Sequence, residues 1–267
     1  MSVKFSIVVP AYQENGNIAP LTTRVFAALE GAGYERKACE LIIVDDNSRD
    51  GSVETVDALK KKGFPVTILV RTKERGLSSA VMHGMDNAKG EFLLCMDADL
   101  QHPPEYVPKV FDAIQKPGIE FTLGTRYGHG VAIDKDWPVH RRLISWGARV
   151  LARPLTSLSD PMSGFFALRT GVYQRGKPRL SPLGYKIALE LFVKCGVRKY
   201  NEVGFSFAAR TVGASKLTGK VIVHYLFHLK ALYWYAFGIA GVLFVLAFVV
   251  AALYFAATRV LGVKLLA

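Results

Sequence analysis

The chain has 267 residues, about half of them apolar, and a formal charge of +12. This is room for one sizeable α/β domain with a small appendage. Cys39, Cys95 and Cys195 are odd in number and form no CxxC pair, so they suggest neither a disulfide framework nor a zinc site and fit a reducing compartment. The positive charge comes without zinc-finger spacing or an aromatic-rich RNA-binding signature, which leaves phosphates and lipid head groups as its partners rather than nucleic acid.

From the N-terminus, short apolar runs alternate with amphipathic segments. Phe5–Val9, Leu41–Val44, Val66–Val70, Phe92–Met96 and Phe121–Leu123 read as buried strands. Ile18–Glu30, Ser52–Lys62, Leu77–Asn87 and Glu105–Gln115 read as the helices between them. Such alternation predicts a mostly parallel sheet with helices on both faces, whose ligands bind at the carboxyl ends of the strands. Every strand exit is polar: PAYQE, DDNSRDGS, RTKERG, DADLQH and GTRYG in turn. Further on, Trp137–Leu155 and Ile187–Lys194 read as helices, and Phe165–Leu168 and Val203–Phe207 as strands; RTVGASKLTGK is loop-rich.

The C-terminal part has a different composition. The 28 residues Ala231–Thr258 carry no charged side chain and lie between Lys230 and Arg259. As a helix they would extend about 42 Å, against roughly 30 Å of bilayer hydrocarbon, and they read as a transmembrane helix over 234–258 with a short tail, 259–267. Residues 1–218 read as the α/β domain, and 219–233 as an amphipathic helix lying along the membrane, with Lys220, His224 and His228 opposite Ile222, Leu226 and Leu229. The N-terminal sequence has no apolar core or cleavage site of a signal peptide.

Three clusters carry the chemistry. Asp97 and Asp99 follow the fourth strand two residues apart, so both carboxylates can point one way, and Gln101 continues the parity. Hard divalent cations take such oxygens and keep substrate phosphate oxygens as further ligands. Asp46, after the second strand, is placed to accept hydrogen bonds from a ribose or base, with Pro10, Ala11, Tyr12 and Glu14 as another wall of the pocket. Arg126, Arg210 and Lys216 are each, taken alone, as expected of solvated surface cations, but together with a metal they could neutralise a diphosphate leaving group. Neither GxGxxG after a strand nor GxxxxGK[ST] occurs, which excludes dinucleotide and P-loop sites.

The set SIVVPAY-E, VDDNS-DGS, RGLSSAV, MDADLQHPPE, GTRY, DWP-HRR-IS, SDPMSGFFAL and R---SK-TGK, in this order from Val3 to about Tyr233, resembles the dolichyl-phosphate mannose synthases of the yeast-like, single-polypeptide type. These are inverting family-2 glycosyltransferases. The resemblance implies a GT-A fold and metal-dependent (Mg²⁺ or Mn²⁺) transfer of mannose from GDP-mannose to dolichyl phosphate, for protein glycosylation and GPI-anchor synthesis. It implies residence in the endoplasmic reticulum membrane with the catalytic domain cytosolic, and no obligatory partner subunit. Pro10, Tyr12, Glu14, Val44 and Asp46 would then contact the nucleotide, and Asp97, Ala98, Asp99 and Gln101 the donor phosphates and metal. Arg126, Arg210 and Lys216 would grip phosphates or sugar, with Asp99 and Arg126 central to catalysis. Ala214 departs from the family, where an acid often precedes the serine.

The helix from Trp137 carries an apolar stripe of Val139, Leu143, Trp146 and Val150 beside a basic stripe of Arg142, Arg149 and Arg153, as an interfacial helix needs near anionic head groups. Arg141 and Ser145 share a third face. By the resemblance, they and Arg126 bind the acceptor phosphate. Two rival readings are transfer from another donor, such as UDP-glucose, and a non-catalytic nucleotide-sugar-binding membrane scaffold.

Overall fold

The computed structural model describes residues 2–127, 139–181, 186–206 and 219–261. The strands are β1 (Phe5–Ala11), β2 (Cys39–Asp45), β3 (Val66–Val70), β4 (Phe92–Cys95), β5 (Phe121–Thr125), β6 (Phe166–Arg169) and β7 (Tyr200–Gly204). The helices are α1 (Asn15–Gly31), α2 (Ser52–Lys61), α3 (Leu77–Asn87), α4 (Val107–Gln115), α5 (Val139–Ala152), α6 (Thr170–Gly176), α7 (Ile187–Lys194) and α8 (Gly219–Leu261).

The seven strands among the described residues form one sheet in the order β3-β2-β1-β4-β6-β5-β7. Pairing is parallel except on the two sides of β6, which runs antiparallel to both β4 and β5. Two antiparallel steps restore direction, so β5 and β7 end at the same edge as β1 to β4. The reversed β6 instead begins there, which brings the segment before it, residues 160–165, to that edge.

The alternation of side chains along each strand divides the core in two. Ile7, Val9, Leu41, Ile43 and Leu94 pack beneath α1 and α4, whereas Val8, Ile42, Val44 and Leu93 face α3 and α7. Helix α3 lies so close that a Cβ on Gly84 would sit 2.4 Å from a Val8 methyl.

Helix α5 spans Val139–Ala152 within the expected Trp137–Leu155; Trp137 lies outside the described residues. The last strand is displaced from the expected Val203–Phe207 to Tyr200–Gly204, because an edge strand need not follow the apolar run. Phe205 is instead buried beneath the sheet against Phe165 and His102.

Helix α8 differs from expectation in its first part. His228 is buried (1%) and Leu226 is 45% exposed, the reverse of a polar face turned to water. The cause lies on α7, where the buried Glu190 bonds Lys194 (2.7 Å) and needs a partner for its second oxygen; His228 Nε2 supplies it at 2.6 Å. Tyr225 and Tyr233 donate to the α5 carbonyls of Ala148 (2.7 Å) and Leu151 (2.9 Å). With Ala152, Leu189, Leu229 and Leu232 they make a third core. The start of α8 is thus docked on α5 and α7. Its backbone breaks at Gly238 (φ 62°, ψ −149°), a conformation open chiefly to glycine. The expected span lies mostly past this break, where several side chains fall outside the described set. Among the described residues no helix is long and apolar enough to cross a membrane.

Candidate active site

The strand order reverses between β1 and β4, and the crevice at such a switch point is where open α/β sheets bind ligands. The β1 exit forms one wall of this crevice and the β4 exit the other. Among the described residues, four non-glycine residues have positive φ: Gln13, Asn47, Arg49 and Leu100, at 57°, 58°, 54° and 62°. All lie in the loops after β1, β2 and β4, so the backbone strain is concentrated at this edge.

On the β1–β2 side the loops tie each other in place. Ser48 donates to Asp45 through its backbone N–H (2.9 Å) and its hydroxyl, while its Oγ accepts the Gln13 N–H at 2.8 Å. Glu14 accepts from the Asn17 side-chain amide at 2.7 Å. Register pairs Asp45 with Val70, which puts Arg71 beside Asp46. Arg71 donates Nε to Asp46 Oδ1 at 2.7 Å with Nη2 on the same oxygen, and the Gly76 N–H reaches Oδ2 at 2.8 Å. Asp46 is therefore a neutralised, buried carboxylate rather than an open one. Among the described residues, three of its roughly four acceptor positions are taken. Tyr12 presents a partly exposed ring, with the Arg75 guanidinium 5.0 Å from its centroid. Pro10 is partly buried. Ala11 is buried, and its carbonyl accepts the Asp46 N–H at 3.1 Å. Val44 lies wholly in the core, so its contact with any ligand is confined to its backbone.

At the β4 exit, the Asp97 side chain is 39% exposed whereas Asp99 is buried, its Oδ1 accepting the Gln101 N–H at 3.1 Å. Ala98 is buried between them and Gln101 partly buried. His102 Nδ1 accepts the Asp97 N–H at 3.0 Å, and burial lowers the His102 pKa against the pull of Asp97. Its ring therefore serves as a neutral brace for the loop. Gly164 faces Asp97: a Cβ there would lie 3.2 and 3.4 Å from the two carboxylate oxygens. Among the described residues no three His, Cys, Asp or Glu side chains are grouped to hold a metal ion. Two carboxylates and an amide oxygen suit a hard cation that takes its remaining ligands from substrate phosphates.

The third group is centred on Arg126, just past β5. Its Nε and Nη2 donate to Oδ2 and Oδ1 of Asp160 at 2.7 and 2.9 Å, a two-pronged pair with Asp160 fully buried. Burial works against the Arg126 charge, but the Asp160 hydrogen bonds and charge outweigh it and raise its pKa. Tyr127 then links strand to helix: its hydroxyl lies 3.2 Å from Ser145 Oγ, and the Arg149 guanidinium stacks 3.8 Å from its ring centroid. Arg149, expected in a basic stripe at the head groups, is stacked instead, with Nε buried and, among the described residues, without a hydrogen-bond partner. Trp146 remains 56% exposed on α5. The Arg141 side chain, and Arg210 and Lys216 altogether, lie outside the described residues.

Asp160, Arg71, Tyr127 and Lys186 were not singled out from sequence. Asp160 stands within SDPMSG and Arg71 opens RTKERG, both visible as polar segments, but their pairings depend on the reversal of β6 and on the β2–β3 register.

A sheet of this order carries an acidic pair and a clamped arginine at one edge, and the comparisons with known proteins place the chain among glycosyltransferases. The family model for Glycosyl transferase family 2 matches residues 6–176. A dolichol-phosphate mannosyltransferase of Saccharomyces cerevisiae is 54% identical over 93% of this chain and 94% of its own, and one of Mycosarcoma maydis 54% identical over 93% and 86%. One from Pyrococcus furiosus is 42% identical over 86% of this chain and 64% of its own. Among solved structures, glucosyl-3-phosphoglycerate synthase from Mycobacterium tuberculosis, in complex with Mn²⁺, UDP and glucosyl-3-phosphoglycerate, shares the fold (TM-score 0.59, 18% identity, 86% and 78% coverage). The chain belongs to glycosyl transferase family 2 and, within it, to the dolichol-phosphate mannosyltransferases.

Proposed function

We propose that the chain transfers mannose from GDP-mannose to a dolichyl or similar polyprenyl phosphate, with inversion from an α-linked donor to a β-linked product. The observation that carries this reading is the meeting, at one sheet edge, of the Asp97–Asp99 pair with an arginine held rigid by Asp160. The acceptor phosphate is largely ionised at neutral pH, its second pKa being about 6, so its oxygen can attack the sugar carbon without a general base. Catalysis then rests on bringing two anions together in line and offsetting their repulsion. Arg126, fixed beforehand, takes one phosphate at little reorganisation cost, with Ser145 within reach of Tyr127 and Arg141 on the same helix. Tyr12 offers the nucleobase a stacking surface, and Asp46 offers it one acceptor position.

A divalent metal at Asp97, Asp99 and Gln101 would act as a Lewis acid toward the leaving diphosphate. Arg210 and Lys216 would add positive charge.

Membrane attachment is part of the same proposal. The uncharged run Ala231–Thr258 is long enough to span, and the Gly238 break lets α8 change direction between its docked first part and the bilayer. Trp146, Phe227 and Trp234 are 56%, 62% and 57% exposed, as interfacial residues would be. A cavity of about 360 Å³ lined by α8 residues from both sides of the Gly238 break (Val223, Phe227, Lys230, Leu246 and Val249), with Leu151 of α5 beside them, would accept an isoprenoid chain. Endoplasmic reticulum residence with a cytosolic catalytic domain follows from the family reading. Two variants test the assignment. Arg141→Ala should raise the acceptor KM by roughly tenfold or more and leave GDP binding intact, whereas Asp99→Ala should abolish turnover in a folded protein. Equal damage to acceptor use and GDP binding by Arg141→Ala would remove the acceptor role from α5.

A further inference from the structure

Helices α5, α7 and the docked part of α8 run side by side in one direction. Tyr225 and Tyr233 of α8 meet Ala148 and Leu151 of α5 in turn, and His228 meets Glu190 of α7. Lys194, at the end of α7, lies 5.7 Å from the Tyr235 ring centroid. The three helices therefore finish at one edge of the molecule, opposite the active site, where β5 and β7 begin. Tyr200, the first residue of β7, donates there to Ser157 Oγ, just past α5, at 2.7 Å.

This edge is basic. Arg153, Arg175, Arg179, Arg198 and Lys199 are all exposed. Among the described residues the one acid paired with any of them is Glu120, 3.0 Å from Arg175. Part of this charge is used inside the fold. Arg175 donates Nη2 to the carbonyls of Cys195 (2.8 Å) and Gly196 (3.2 Å), at a helix end that favours a cation. Arg153 donates to the Ser157 and Leu158 carbonyls at 3.4 and 3.5 Å, and Arg179 to the Arg175 carbonyl at 2.9 Å. Arg198 and Lys199 differ. Their side chains make no hydrogen bond or ion pair among the described residues, and Arg198 meets Glu120 only through its backbone N–H, at 2.7 Å.

Their neighbourhood says what they face. Trp234, Tyr235 and Phe237 are exposed where α8 passes this edge, just before the Gly238 break and inside the uncharged run. Aromatic rings flanked by lysine and arginine at the start of an apolar segment are the composition of a bilayer interface. The cations expected to meet head groups from α5 are engaged elsewhere: Arg149 stacks on Tyr127, and Arg153 turns to carbonyls. Arg198 and Lys199 stand in their place, at the far end of the same helices.

We propose that Arg198 and Lys199 form a docking patch for the head groups of anionic phospholipids, beside the point where α8 meets the bilayer. The choice of a lipid partner rests on the membrane attachment proposed above; the choice of an anion rests on the charge pattern. Contact at this edge gives the domain a second support besides the α5–α8 face, and so fixes the tilt of the active-site edge over the bilayer. An acidic protein segment would satisfy the same charges, but it would not need the exposed Trp234 and Tyr235 next to them.

The test reconstitutes the full chain with vesicles of phosphatidylcholine, alone or mixed with phosphatidylserine, with a photo-cross-linker on one head group or the other. Flotation reads attachment, and mass spectrometry reads which segment the lipid labels. Wild type is compared with Arg198→Gln/Lys199→Gln, with Arg198→Lys, and with Lys61→Gln/Lys62→Gln, which loses the same charge at exposed positions at the end of α2. Phosphatidylserine should label residues 195–200 in preference to phosphatidylcholine. Each cation near an anionic surface contributes about fivefold, so Arg198→Gln/Lys199→Gln should lower this labelling by roughly tenfold or more. High salt should lower it too, while Arg198→Lys and the α2 variant should keep it. A chain that floats with both vesicles but is labelled there by neither lipid, or by both equally, overturns the patch and leaves membrane attachment standing. An equal loss in the α2 variant also overturns it, since that describes overall charge rather than a patch. Flotation with phosphatidylserine alone, lost in Arg198→Gln/Lys199→Gln, sustains the patch and removes the span. Flotation with neither overturns both.

Discussion

Replacing Asp160 by Asn keeps the side chain's shape and removes its charge. In the native structure Asp160 has no exposed surface, and both of its oxygens accept from Arg126, whose side chain is 16% exposed. The asparagine amide would meet one of the two guanidinium donors with a donor of its own. Breaking a buried pair by removing one partner destabilises by about 3–5 kcal/mol, and the residual exposure of Arg126 places this case near the lower end. At about 2–4 °C per kcal/mol for a domain of this size, the melting temperature should fall by about 6–12 °C. The loss in activity should exceed what unfolding explains: at 25 °C, with the protein still folded, kcat/KM should drop by roughly a hundredfold, because Arg126 is no longer aimed. Differential scanning calorimetry beside steady-state kinetics separates the two effects. Combining Asp160→Asn with Arg126→Met gives the coupling energy, expected to lie well above the scatter for independent sites. A variant that melts and turns over like wild type would refute the idea that Asp160 holds and aims Arg126.

Two further outcomes follow from the geometry. Gly164→Ala should weaken Mn²⁺ binding by roughly tenfold with little change in melting, since its methyl would press within 3.2–3.4 Å of the Asp97 carboxylate; titration calorimetry in the presence of GDP reads it. Burial raises the Glu190 pKa, but His228, Lys194 and the Ser181 N–H outweigh it, and the folded value lies below the ordinary one. Its contribution is therefore fully present above the unfolded pKa and is lost as pH falls through the depressed folded value. Fluorescence of Trp146 and Trp234 should report loosening of α8 from α7 in that acid window. Glu190→Gln should remove the acid step, and an unchanged step would show that another group drives it.

β1, β2 and β4 were legible because each is a largely buried, mostly apolar run closed by a polar exit, whereas β3 was legible from its apolar run although as an edge strand it is only partly buried. Val66–Val70, Leu77–Asn87 and Ile187–Lys194 match their expected bounds residue for residue. β7 was misplaced because YNEVG is a half-exposed edge strand, and the apolar signal belongs to the buried Phe205 beyond it. The acidic residues of the site were visible from their spacing, but their condition was not. Asp46 reads as an open acceptor until the β2–β3 register sets Arg71 against it. Arg126 reads as a free cation until β6 reverses and delivers Asp160. His228 could not be distinguished from a solvated face residue, because the demand for it arises on α7, almost forty residues earlier.

The most direct measurement offers the purified chain GDP-mannose, UDP-glucose and UDP-GlcNAc in parallel, each with a polyprenyl phosphate and Mg²⁺ or Mn²⁺, and with a chelator as control. The expected result is a single lipid product, β-mannosyl phosphate, formed only from GDP-mannose and only with metal present. Transfer from a UDP-sugar at comparable kcat/KM, an α-linked product, or full turnover in chelator would contradict it.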